Sequence, residues 1–205
     1  MSFFLGVTAG FLLNNWQLQR EDYQLEQKYL VDFNHDIDEN ILQLKDAITS
    51  DSTWLERVKP ELLNISKGTI LLDSANSIVK QVVQISKITF QTSTYENITN
   101  SGNLNLIQDY SLKKEIVDYH LAISGVGFVD NYVSIFFNDF VMPFVVSKFS
   151  VLKGGLDNPK TVKTLEFQNI ITSYFSLMQQ RKAVYEGLLE KSIELKKILK
   201  ENLED

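Results

Sequence analysis

Apolar residues recur at steps of three and four along most of this chain, which is the period of one helix face. Residues 3–13 carry no charge and are followed by Asn14-Asn15-Trp16. Beyond them, Leu30, Phe33, Ile37, Ile41, Leu44 and Ile48 form one stripe. No Gly or Pro interrupts it, so the spacing predicts a helix from the N-terminal apolar segment to about residue 48. Asp51-Ser52-Thr53 reads as a turn and an N-cap. A second helical region, disturbed at Pro60, then runs to Lys67-Gly68. Asp73 or Ser74 is expected to cap a short helix ending at Ile85, and residues 87–92 alternate as an isolated extended stretch.

Ser93-x-x-Glu96 has the form of a capping box, opening a short helix that Gly102 ends. Ser111 is the expected N-cap of a long helix reaching about Phe149. Gly154-Gly155 and Pro159 then punctuate a loop. The last helix is expected from Leu165 to Asn202, with Phe167, Ile170, Tyr174, Met178, Tyr185, Leu188, Leu195 and Leu199 on its apolar side. The pattern is all-α: an elongated antiparallel bundle of four principal helices plus short ones, with residues 16–205 as a single domain.

Residues 1–15 are expected to be the end of a transmembrane helix continuous with the first bundle helix. Eleven helical residues span about 16 Å, half of a ~30 Å hydrocarbon core, so the span is read as beginning before Met1. Trp16 then sits at the membrane interface, where an amphipathic ring is favoured. Gly6 and Gly10 have small-xxx-small spacing, a weak signal of helix pairing in membranes. A buried first helical turn is the alternative. A signal peptide fits poorly, with no basic leading residues and no clean cleavage site. Residues 128–146 are also long enough to span a bilayer, but they contain Asp130, Asn131, Asn138, Asp139 and Pro143. Two acids near a bilayer centre cost about 5–7 kcal/mol, so this stretch reads as a buried bundle helix.

Composition agrees with a helical reading. Gly and Pro make 12 of the 205 residues, too few for a turn-dense all-β chain, and 44% of residues are hydrophobic. The absence of Cys removes disulfides, thiolate metal sites and Cys nucleophiles. Twenty basic and 26 acidic residues give a net charge of −6. Up to Gly102 the balance is 8 basic to 13 acidic, and after it 12 to 13, so no basic half exists to neutralise nucleic-acid phosphates. Lys148, Lys153, Lys160 and Lys163 form a solvated loop cluster diluted by Asp157.

No catalytic constellation is legible. Asp32, His35, Asp36 and Glu39 cluster within two helical turns, but a di-metal bundle needs a second carboxylate-x-x-His on a facing helix. His120, with Asp118 and Glu115 before it, has the wrong steps for that. Gly125-Val126-Gly127 lies within a helical pattern with no strand before it, so phosphate cradling gives way to close helix packing or a kink. The serines lack a positioned His and acid. No cofactor or metal is expected, and the chain reads as not an enzyme. One polar position does interrupt an apolar stripe: Arg181, one of three arginines, between Met178 and Tyr185. If the third and fourth principal helices form an antiparallel hairpin, Arg181 comes near Asp130, and a buried Arg181–Asp130 pair is expected. A snorkelling guanidinium at the stripe edge is the alternative.

Four stretches carry a family resemblance: the apolar run ending in Asn14-Asn15-Trp16 with Arg20; Ser93-Thr94-Tyr95-Glu96 followed by residues 101–107 (Ser-Gly-Asn-Leu-Asn-Leu-Ile); residues 139–149 with Met142-Pro143-Phe144; and residues 165–169 (Leu-Glu-Phe-Gln-Asn). Together they resemble a bacterial family without established activity, whose members have one N-terminal transmembrane helix and a helical extracytoplasmic domain. The resemblance covers nearly the whole chain. It implies a basic cytoplasmic segment and a full-length apolar helix, which Met1 cuts short here, and by the positive-inside rule it leaves the acidic bundle outside the cytoplasm, in a periplasmic position. It supplies no catalytic residues.

The expected function is therefore a single-pass, membrane-anchored, non-enzymatic scaffold or protein-interaction module outside the cytoplasm, open to homo-oligomerisation through leftover apolar surface. The alternative is a small-ligand or signal-sensing bundle, with Asp130, Asn131, Asn138 and Arg181 lining a polar pocket. A metalloenzyme using His35 and His120 is a third reading.

Overall fold

The computed structural model describes the backbone of residues 2–84 and 87–204, and the side chains of residues 10–84 and 87–203. It is an all-α fold. Its helices are α1 (Ser2–Val58), α2 (Leu62–Lys67), α3 (Leu72–Val82), α4 (Ser93–Asn100), α5 (Tyr110–Phe136), α6 (Met142–Lys148) and α7 (Leu165–Glu204). A π-helical turn, Phe137–Val141, joins α5 to α6 without a break. A two-residue antiparallel ladder, β1 (Phe149–Ser150) and β2 (Gly155–Leu156), pairs Phe149 with Leu156 and Ser150 with Gly155. The side chains of residues 3–9, including Gly6, and Ile85 lie outside the described residues.

Several expected boundaries move. α1 continues through Asp51-Ser52-Thr53 to Val58, because the Thr53 hydroxyl bonds back to the Thr49 carbonyl at 2.9 Å instead of capping a new helix. The 3-10 turn Lys59–Glu61 carries Pro60 at a helix start, where its missing N–H costs nothing. α2 ends at Gly68, whose φ of 63° is the left-handed conformation that glycine adopts without steric cost. The cap of α4 is Thr92, whose hydroxyl donates to the Glu96 carboxylate at 2.7 Å, not Ser93. α5 starts at Tyr110, and Asp109 Oδ1 accepts from the Ser111 and Leu112 amides at 2.6 and 3.0 Å, so the capping oxygen is Asp109's, not Ser111's. Residues 87–92 form no ladder.

The chain divides into two compact units, with α1, α5 and α7 each contributing a stretch to both. The first comprises Met1–Ile41, Phe90–Leu121 and Lys191–Asp205. Leu30, Phe33, Ile37, Ile98, Ile107, Leu112, Ile116, Leu195 and Leu199 are buried there. Polar side chains of α1 satisfy the backbone of the segment that follows residue 90. Asn40 exchanges two hydrogen bonds with the Gln91 main chain, at 2.7 and 3.0 Å. Asp36 accepts from the Thr94 amide at 3.1 Å in the first turn of α4, and Glu26 accepts from the Gln108 amide at 2.7 Å. A carboxylate at a helix N-terminus meets an otherwise orphaned amide and the positive end of the helix dipole.

The second unit comprises Leu42–Thr89 and Ala122–Glu190. Its core draws on α1 (Trp54, Val58), α3 (Ala75, Ile78, Val79, Val82), α5 and α6 (Val133, Phe144) and α7 (Phe167, Ile171, Tyr174, Met178). Trp54 packs edge-on against Tyr174, with ring centroids 5.2 Å apart. The β1–β2 turn is held to α3 by Asn76, which accepts from the Leu156 amide at 2.8 Å. A Cβ at Gly155 would lie 2.7 Å from the Asn76 amide nitrogen, so only glycine permits that approach.

Candidate functional site

α7 carries an unbroken buried line at alternating steps of four and three in the second unit: Phe167, Ile171, Tyr174, Met178, Arg181, Tyr185 and Leu188. Arg181 takes a place in that line and is 3% exposed. A guanidinium there needs a partner, since an unpaired buried charge is strongly unfavourable. The partner is Asp51 on α1, not Asp130. Arg181 Nε donates to Asp51 Oδ2 at 2.8 Å and Nη2 donates to Oδ1, giving a forked pair. The expected Arg181–Asp130 pair is corrected accordingly. Asp130 is itself buried, and its Oδ1 accepts from the Tyr185 hydroxyl at 2.6 Å. The Arg181 guanidinium carbon also lies 5.4 Å from the centroid of the Tyr185 ring.

Electrostatics follow from burial and this pairing. Burial pushes the Asp51 carboxyl up against the opposing bonds and charge of Arg181, and the nearby Asp130 charge adds to the rise. Burial pulls the Arg181 guanidinium down, but its bonds to Asp51, the Asp51 charge and the neighbouring Tyr185 and Tyr174 together outweigh that and hold it above its ordinary value. Burial pushes the Tyr174 phenol up to about 12, and burial with the bond to Asp130 raises Tyr185 as well, so both stay protonated near neutrality. The Ser134 hydroxyl donates to the Asp130 main-chain carbonyl at 2.7 Å.

Two open cavities flank Arg181. One, of about 140 Å³, is bordered by Lys87, Asp130, Ser134, Asn138, Tyr174 and Arg181. The other, of about 210 Å³, is bordered by Gln43, Asp46, Ser50, Asp51, Lys87 and Arg181. Three of the four residues expected to line a polar pocket, Asp130, Asn138 and Arg181, therefore share a cavity. Asn131 is exposed and outside that lining.

The other sequence-derived candidates separate. His35 is exposed. His120 is buried in the first unit, stacked on Tyr95 with centroids 3.9 Å apart and edge-on to Phe33 and Tyr119. Its Nδ1 donates to the Ile116 carbonyl at 2.8 Å, and burial lowers its pKa despite the raising influence of that bond, Asp36 and Glu96. Among the described residues no group of three or more His, Asp or Glu could hold a metal ion. Gly125 and Gly127 show no close packing: α5 is helical through both, and a Cβ at either would meet open space. Trp16 is exposed on α1, with the Arg20 guanidinium carbon 5.6 Å from its ring centroid.

Asp51, read from sequence as part of a turn, Tyr185, read as an apolar-stripe residue, and Lys87 were not expected at the site. A signal for Asp51 did exist: Ile37, Leu44, Asp51 and Val58 follow one another at seven-residue steps on α1, and all four are buried. A carboxylate on a buried heptad line needs a hydrogen-bonding or cationic partner in the interior.

The fold and the site define an all-α protein with a forked ion pair in its interior. No protein-family model, curated protein or solved structure matches the chain.

Proposed function

We propose that this chain is a membrane-anchored helical interaction module, non-enzymatic, with its long helices arranged as an antiparallel bundle outside the cytoplasm. The observation that carries the interaction reading is the outer side of α5 and the π-helical turn after it, where Phe128, Tyr132, Ile135 and Phe140 stand in solvent. Monomeric proteins rarely leave so much contiguous apolar surface uncovered, and interaction sites regularly do. Anchoring is supported by α1, where Phe11, Leu12 and Leu13 are all exposed. Three successive residues point to three sides of a helix, so no single protein face could cover them. Trp16 and Arg20 follow at the level where an aromatic ring and a cation favour the headgroups. The resemblance carried by Asn14-Asn15-Trp16 implies the same address. Among the described residues one stretch, Tyr110–Lys148, is long and apolar enough to cross a membrane by length and composition, with a mean hydropathy of 1.2 in its most apolar window. Asp130, paired with Tyr185 in the protein interior, favours a protein setting for it.

A small-ligand or sensing bundle is the second reading, favoured by the shared cavity of Asp130, Asn138 and Arg181. Thermal unfolding with small carboxylates, amino acids and divalent cations separates the two. A ligand present at a hundred times its Kd stabilises the folded state by about 2.7 kcal/mol. The interaction reading expects no change in Tm. A concentration-dependent rise that Asn138→Leu abolishes would transfer the assignment to the cavity.

A further inference from the structure

We propose that the outer face of α5 pairs with the same face of a second copy of this chain. This inference rests on the interaction reading above and names its partner. α5 is apolar on two opposed sides. Val126 and Val133 face inward, while Gly125, Phe128, Tyr132 and Ile135 form an exposed line at steps of three, four and three. That alternation is the spacing of a coiled-coil seam, which fits another helix of the same spacing better than it fits an irregular surface. The π-helical turn inserts one residue, and Phe140, five residues beyond Ile135, continues the exposed apolar side.

Charge narrows the choice of partner. Between residues 122 and 147 the only ionisable groups of Asp, Glu, Lys, Arg or His type are Asp130, which is buried, and Asp139. Neutral Ser124, Asn131 and Asn138 flank the line. An oppositely charged protein would find no complementary charges on this face, and anionic lipid would be repelled by a chain of net charge −6. A second copy presents the same neutral seam. Area agrees: with aromatic side chains at roughly 200 Å² each, the exposed parts of these residues come to on the order of 600 Å². That is comparable to the ~800 Å² each partner contributes to a standard interface. Gly125 leaves room for close approach, since nothing lies within 4 Å of where its Cβ would be.

Because the natural chain has no cysteine, each single-cysteine variant carries one thiol. The test is oxidative cross-linking of the full chain in its own cells. Tyr132→Cys and, independently, Phe128→Cys probe the seam, and Glu190→Cys on the exposed side of α7 is the control. All three positions are exposed, so folding does not hinge on them. The expected result is a disulfide dimer at twice the chain mass for the seam variants Tyr132→Cys and Phe128→Cys, and none for Glu190→Cys. Monomer for both seam variants, or equal cross-linking of all three, overturns the proposal. A photoreactive benzophenone residue at position 132 then separates the two levels. An adduct with a different protein overturns self-pairing but leaves the interaction reading standing. A lipid adduct or no adduct overturns both.

Discussion

Arg181 of α7 and Asp51 of α1 are joined by two side-by-side hydrogen bonds in the interior of the second unit, their side chains 4% and 0% exposed. This contact links positions 130 residues apart in sequence. A buried pair of this kind is a poor source of net stability, because desolvation offsets much of the attraction, but a costly one to break.

Removing one partner is therefore expected to cost about 3–5 kcal/mol, read as a fall in the urea midpoint. Arg181→Met should be the worse of the two single changes, since it leaves the buried Asp51 carboxylate unpaired with the Asp130 charge nearby. Asp51→Asn keeps an amide oxygen that can still accept from the guanidinium. The double variant Asp51→Leu/Arg181→Met is expected to recover most of the loss, because an apolar pair has nothing left unpaired. Strict additivity of the two single losses would show that the residues do not act as a pair.

Tyr185→Phe removes the hydroxyl that donates to Asp130. A hydrogen bond to a charged group contributes about 1.5–3 kcal/mol, and the loss should lie in that range. Tyr174→Phe is the comparison: its hydroxyl borders the cavity, and its removal should be close to neutral. Equal losses at the two positions, measured by denaturant unfolding, would contradict the Tyr185–Asp130 account.

His120 gives a pH dependence with a definite sign. Its pKa is lowered in the folded chain, burial outweighing the raising influence of the Ile116 carbonyl, Asp36 and Glu96, while the Tyr95, Tyr119 and Phe33 rings pack against it. The unfolded chain takes up a proton near pH 6.5 while the folded one resists it, so stability falls as pH drops through 6.5 and levels off below the folded pKa. The slope in that window reaches at most about 1.4 kcal/mol per pH unit. Unfolding midpoints at pH 7.5 and 5.5 should converge in His120→Phe relative to the natural chain. His35→Gln, on an exposed residue, should leave the difference intact.

Helical class and the positions of most helices were legible because their apolar periodicity is local. What was missed depended on polar residues whose partners are distant in sequence. Asp51-Ser52-Thr53 has the composition of an N-cap, yet α1 carries Asp51 onto its buried line to meet Arg181. Asp36, grouped with His35 as a metal candidate, instead receives the Thr94 amide at the start of α4. Asn40, passed over in favour of Ile41, is fully buried because it serves the Gln91 main chain. The anomaly of Arg181 was visible in the stripe. Its partner was not, since Asp130 and Asp51 are both carboxylates and only packing decides between them.

Cell fractionation with external protease tests the proposed address most directly. The full chain, expressed from its native upstream DNA, is compared with residues 16–205. The account predicts that the full chain sediments with membranes and is cut by protease added outside the cytoplasm, and that residues 16–205 leave the membrane fraction. A full chain that stays soluble, or that resists external protease until the cells are lysed, would contradict it.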